Sequence, residues 1–186
     1  ISPLTSMSKY NYFLLNNLPD YIEEDHILIV QHDGTIVYQE MWSDEFLNYD
    51  YIGAPWPKRI VNNLIFLTEE MKRDPYKYLV GNGGFCLRSK DLCEYVKKYK
   101  LISPISYEKV VFEDQFICNF IFLRKYLEEH NISFSPYELA KRFSYEFEVE
   151  NSSDKFFGLH STKRPEAHKF ILKSKEEWEK SHDNVI

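Results

Sequence analysis

The stretch Val80–Lys100, VGNGGFCLRSKDLCEYVKKYK, decides how the chain is read. It opens with Gly81, Gly83 and Gly84 around Asn82, although the whole chain holds only six glycines. Phe85 to Arg88 follows as a short apolar alternation and reads as a strand. Ser89 is then placed to cap a helix over Lys90–Lys100, in which Leu92, Tyr95 and Val96 form one apolar face. A glycine-rich entry, a strand and a capped helix in direct succession predict an α/β fold.

Working outward, His26–His32 (HILIVQH) is a continuous apolar run of strand length, ended by Asp33-Gly34. Such a run predicts a central strand buried on both faces. Asp33 then sits at a carboxyl end, where α/β sheets meet their ligands. Ser8–Asn17 predicts a short helix stopped by Leu18-Pro19, and Thr35–Tyr38 a second short strand. Ser43 offers a helix cap ahead of the acids Asp44 and Glu45. Tyr51–Pro57 carries two prolines and predicts a rigid loop, whereas Pro57–Leu79 has no clear period and reads as a helix or an excursion. Downstream, Glu113–His130 is the clearest helix, with Phe116, Phe120, Leu123 and Leu127 at helical spacing. A further helix runs from Ser135-Pro136 to near Phe143, then a strand over Tyr145–Val149, a loop or strand end at Phe156–His160, and a C-terminal helix or tail from Lys163. The alternation predicts a mixed sheet flanked by helices in one domain, 1–186.

Composition narrows the function classes. With 44% hydrophobic and 28% charged residues the chain reads as an ordinary globular protein. No apolar run approaches the roughly 18–20 residues of a membrane span. A formal charge of -6 gives no general attraction to nucleic acid, so any phosphate must be held by local groups. The 17% aromatic content implies either a thick aromatic core or a surface that stacks flat ligands or sugars. Cys86, Cys93 and Cys118 lack metal spacing and suit buried free thiols in a reducing compartment, with the cytoplasm as the default.

Several positions carry chemistry, each beside a plainer alternative. Gln31-His32-Asp33-Gly34 is either a turn into a hairpin or a strand end whose carboxylate binds a divalent cation bridging diphosphate oxygens. Gly81, Asn82, Gly83 and Gly84 either form a strand-entry bulge or let the backbone approach a ligand, with positive φ available to the glycines. Arg88 pairs with a phosphate, a carboxylate or a surface acid. Glu113-Asp114 either complements a helix dipole or supplies a general base toward a hydroxyl nucleophile. His160 is a metal or phosphate ligand or a structural histidine. Trp56, between prolines, is an aromatic wall for a sugar ring or a core residue.

Taken in order, YNYFLL, ILIVQHDG, FLNYDYIGAPW, VGNGGFCLRSK, FEDQF, ELAKRFSYEFEV and FGLH resemble, from about Tyr10 to His160, a family of largely uncharacterised glycosyltransferase-like domains of the GT-A type. The resemblance implies transfer of a sugar from a nucleotide-sugar donor to a glycan or other hydroxyl acceptor, inverting and assisted by Mn2+ or Mg2+. By position, it makes Asp33 and His160 the metal ligands, Asp114 the base and Glu113 its neighbour. Gly81, Asn82, Gly83, Gly84, Phe85 and Arg88 become substrate-binding, with Trp56 beside the sugar. Two departures from the family pattern stand out: Gln31 replaces the first acid of the metal-binding element, and Cys86 replaces a serine. The chain also starts just before the helix that precedes Gln31, so part of the amino-terminal nucleotide-binding half is expected to be missing and the domain to be whole or a piece of a longer chain. A non-catalytic glycan- or nucleotide-binding module is the alternative.

Overall fold

The computed structural model describes Ile1 and residues 3–59, 69–102 and 112–182. Its helices are α1 (Met7–Tyr12), α2 (Glu69–Arg73), α3 (Lys90–Ile102), α4 (Glu113–Asn119), α5 (Ile121–Glu129), α6 (Tyr137–Phe143) and α7 (Pro165–His182). Its strands are β1 (His26–Val30), β2 (Thr35–Ile36), β3 (Tyr51–Gly53), β4 (Phe85–Ser89), β5 (Ser144–Tyr145) and β6 (Gly158–Leu159). The chain is α/β, with one antiparallel sheet in the order β1-β4-β3 and one mixed sheet in the order β2-β6-β5. Among the described residues no helix is long and apolar enough to cross a membrane.

The fully buried central strand is β4, with every residue from Phe85 to Ser89 inside the fold. Ser89 caps α3 as the sequence predicts, its Oγ accepting from Leu92 N at 3.0 Å. The expectation for β1 is corrected: among the described residues it lies at the sheet edge, half-buried, with Val30 47% exposed. Its apolar run is covered by a local cluster instead of by strands on both sides. Leu14, Leu18, Ile22 and Cys93 pack there against Ile27 and Ile29.

Pro19 does not stop the first helix. Ser6 caps α1 by accepting from Lys9 N, the chain widens into a π turn over Phe13–Asn17, and Pro19 sits at the start of the following 3-10 turn, where its missing N–H costs nothing. The expected loop at Tyr51–Pro57 begins as strand β3 and continues in an extended bridge from Pro55 to Val80. Within Pro57–Leu79, residues 60–68 lie outside the described set, and α2 is followed by a 3-10 turn at Pro75–Tyr78. Glu113–His130 is two helices and not one, because Phe120 is extended (φ -75°, ψ 103°). Arg124 Nη1 donates to the Cys118 carbonyl across the break at 3.3 Å, satisfying an acceptor that a continuous helix would have used.

The aromatic residues build the core. Phe85, Phe143 and Phe157 meet with centroids 5.6–6.0 Å apart, Phe46 joins Phe143 at 5.1 Å, and Trp42 closes on Phe157 at 5.1 Å. Cys86, Cys93 and Cys118 are buried and unpaired. This packing holds β4 rigidly, and the glycines that enter β4 inherit that rigidity.

Candidate functional site

The glycine stretch is where separate parts of the chain converge. No glycine has a positive φ, so conformational freedom is not what these positions need. Close approach is. A β-carbon on Gly81 would lie 2.5 Å from the Trp56 indole and one on Gly83 would lie 2.6 Å from Glu113 Oε1. One on Gly84 would overlap the His160 ring. The bare backbone therefore admits the protein's own side chains.

That geometry corrects part of the substrate-facing set. Phe85 is fully buried and Trp56 is 3% exposed, so both are core residues. Arg88, with no exposed surface, donates from Nη2 to Glu113 Oε1 at 2.9 Å. Glu113 is thereby committed to an internal ion pair and cannot share proton transfer with its neighbour. Asn82 is also engaged at both ends: its Oδ1 accepts from Gly84 N at 2.9 Å and its Nδ2 donates to Glu146.

Three of the expected residues are brought together with surface left to meet a ligand. Asp114, half-buried in the first turn of α4, accepts from Gly83 N at 2.9 Å and from Gln115 N at 2.7 Å. His160 follows β6 and covers Gly84, with Nε2 at 3.3 Å from Asp33 Oδ1. Asp33 is held there by its backbone, which accepts from Thr162 N at 3.0 Å, while Gln31 N donates to the Gly84 carbonyl at 2.9 Å. Ser161, next to His160, has φ 62°, an uncommon conformation for a side-chain-bearing residue and one often kept at functional sites.

Glu146 is a member of the cluster that the sequence reading does not name. It is 8% exposed, its Oε1 lies 3.2 Å from His160 Nδ1, and the same oxygen accepts from Ser161 Oγ at 3.3 Å. Tyr145–Val149 alternates like a strand, and nothing in that pattern separates Glu146 from Glu148. Only its position behind a late histidine could have singled it out.

Electrostatics give these groups different characters. Burial, reinforced by the negative charge of Glu113, pushes the Asp114 carboxyl up to about 7, despite the N–H groups of Gly83 and Gln115 pulling the other way. Burial disfavours a charged His160 ring, but the carboxylates of Glu146, Asp33 and Asp114 outweigh it and raise its pKa above the ordinary value.

The spacing of Asp33 and His160 bears on a divalent cation. Asp33 Oδ1 is buried without a hydrogen-bond partner among the described residues and faces His160 Nε2. Two ligands at about 2.1 Å on adjacent corners of an octahedron are roughly 3 Å apart, so the pair fits one edge of such a site. Glu146 cannot join it, because it faces the other ring nitrogen, as an outer carboxylate orienting a ligating histidine does. Among the described residues no group of three or more His, Cys, Asp or Glu surrounds one point. Gln31, two residues before Asp33, donates from Nε2 to Tyr10 Oη at 3.0 Å. The pair suits a cation that takes its remaining ligands from substrate and water.

The chain is an α/β protein whose β4 entry lies beside an Asp-His pair and a half-buried aspartate. Residues 2–160 match the family model described as Protein of unknown function (DUF5672), and the chain belongs to that family. No curated protein and no solved structure matches it.

Proposed function

We propose that the chain is a GT-A-like glycosyltransferase domain that moves a sugar, with inversion, from a nucleotide-sugar donor to a hydroxyl acceptor. Asp114 accepts the acceptor's hydroxyl proton as that oxygen bonds to the anomeric carbon. The bond from the same carbon to the diphosphate oxygen breaks, and the electron pair leaves with the nucleoside diphosphate. Asp33 and His160 would hold Mn2+ or Mg2+, which supplies positive charge for the departing group. Glu146 orients His160, and the Arg88–Glu113 pair fixes the start of α4 against β4.

The observation that carries this reading is the Asp114 carboxyl itself. It is partly accessible, anchored by Gly83 N, and has a pKa near neutrality, where a general base works best. The test is release of UDP or GDP from a panel of sugar nucleotides, with and without Mn2+. Asp114→Asn should lower turnover roughly 100-fold or more while far-UV circular dichroism is unchanged, and full turnover in the variant would overturn the role. Tyr10 holding Gln31 favours one second reading, a module that binds a glycan or nucleotide without turnover; it predicts saturable binding and no nucleotide release. A cytoplasmic location belongs to the same proposal, supported by three buried, unpaired thiols that suit reducing surroundings.

A further inference from the structure

Two arginines distant in sequence lie over one aromatic ring, that of Phe147. The guanidinium carbon of Arg164 is 3.9 Å from the centroid of Phe147, and that of Arg59 is 5.7 Å from it. Phe147 directly follows Glu146. Arg164 Nη2 lies 3.6 Å from Glu146 Oε1, the oxygen that also faces His160 Nδ1. Arg164 is therefore separated from His160 by the Glu146 carboxylate alone, and Arg59 shares its ring.

Among the described residues neither charge is fully taken up by an ion pair. The Arg164 side chain is 39% exposed and its ion pair with Glu146 is long, at 3.6 Å. Arg59 is exposed and makes no ion pair with a described acid. A guanidinium lying over a ring uses its face and leaves its edge N–H donors free. An anion bound by two such groups offsets their mutual repulsion. The chain carries a formal charge of -6, and Asp33, Asp114 and Glu146 put carboxylates at the site itself, so a phosphate there has to be held by particular cationic residues.

We propose that Arg164 and Arg59, seated on Phe147, bind the diphosphate of the donor. An arginine fork can pair with a phosphoryl group, and the two guanidinium groups add positive charge beside the Asp33–His160 pair. This assignment rests on the transfer reading for the identity of the donor.

The experiment titrates the full chain with inorganic pyrophosphate and with UDP by calorimetry, in chelator and again with Mn2+. Arg164→Gln should weaken pyrophosphate binding roughly tenfold or more, and Arg164→Lys should restore it only in part. Lys163→Gln removes the same charge from the adjacent exposed position and should bind like the unaltered chain. Absence of pyrophosphate binding by the unaltered chain, equal affinity in Arg164→Gln, or an equal loss in Lys163→Gln would each overturn the site. The two readings fail separately. Arg164-dependent pyrophosphate binding without nucleotide release from any donor keeps the anion site and removes transfer. Turnover with an unchanged donor KM in Arg164→Gln keeps transfer and removes the anion site.

Discussion

A carboxyl group that ionises near 7 inside a fold weakens that fold at neutral pH. In the unfolded chain Asp114 ionises near its ordinary 3.8, whereas in the native protein it holds its proton to about 7. Between those values the native state binds a proton that the unfolded state has released, so stability falls as pH rises through the window and is lowest above it. Asn keeps an oxygen for Gly83 N, gives up the acceptor used by Gln115 N as the protonated acid largely does, and carries no charge. Asp114→Asn should therefore be more stable than the unaltered chain at pH 8, on the order of 2–4 kcal/mol, with the difference vanishing toward pH 4. Urea unfolding at pH 4, 6 and 8 checks it. A constant difference across that range would mean that burial and Glu113 do not raise this carboxyl. Such a gain in stability at the loss of turnover is expected where a residue is kept for chemistry.

At the scale of elements, what the sequence discloses depends on whether the deciding interaction is local. The strand Phe85–Ser89 and the start of α3 are legible because the cap bond joins Ser89 to Leu92, three residues on. Asp33, Asp114 and His160 are legible because each follows a recognisable strand end or opens a helix. The break at Phe120 is not, since an unbroken apolar period runs across it and the guanidinium that satisfies Cys118 O lies on the following helix. The edge position of β1 is hidden too, because its apolar face is covered by the turn around Leu18. Gly158 in β6 is a comparable case: it looks like an ordinary strand-end glycine, yet its α-carbon rests on a core ring. A β-carbon there would overlap Phe85, itself fixed between Phe143 and Phe157. Gly158→Ala should cost about 1–3 kcal/mol or more by overpacking. It should appear as a lower urea midpoint at unchanged slope. A midpoint equal to that of the unaltered chain would show that β6 can move off β4 freely.

Across the whole molecule the site lies where two apolar clusters of unequal size meet. The larger one holds β3, β4 and the helices from α3 to α6, and it fixes the glycines and Asp114. The smaller one consists of Tyr145, Phe156, Leu159, Ala167 and Phe170, and it holds β5, β6 and α7 together. His160 and Arg164 occupy the connection from β6 into α7, so their placement depends on the smaller cluster. The match to the family ends at residue 160, and α7 lies beyond it. Phe170 is the side chain by which α7 grips the sheet, with its ring 4.8 Å from both Tyr145 and Phe156. Phe170→Ala removes that grip, at about 3–5 kcal/mol if the cavity stays open. Elements that few apolar contacts hold open independently of the rest. Hydrogen exchange in the variant should therefore speed up in α7 and β6 while the amides of β4 keep their protection. Pyrophosphate affinity should fall with it, because Arg164 is no longer held beside Phe147. Equal loss of protection in β4 would mean that the two clusters unfold as one unit and that α7 supports the entire fold.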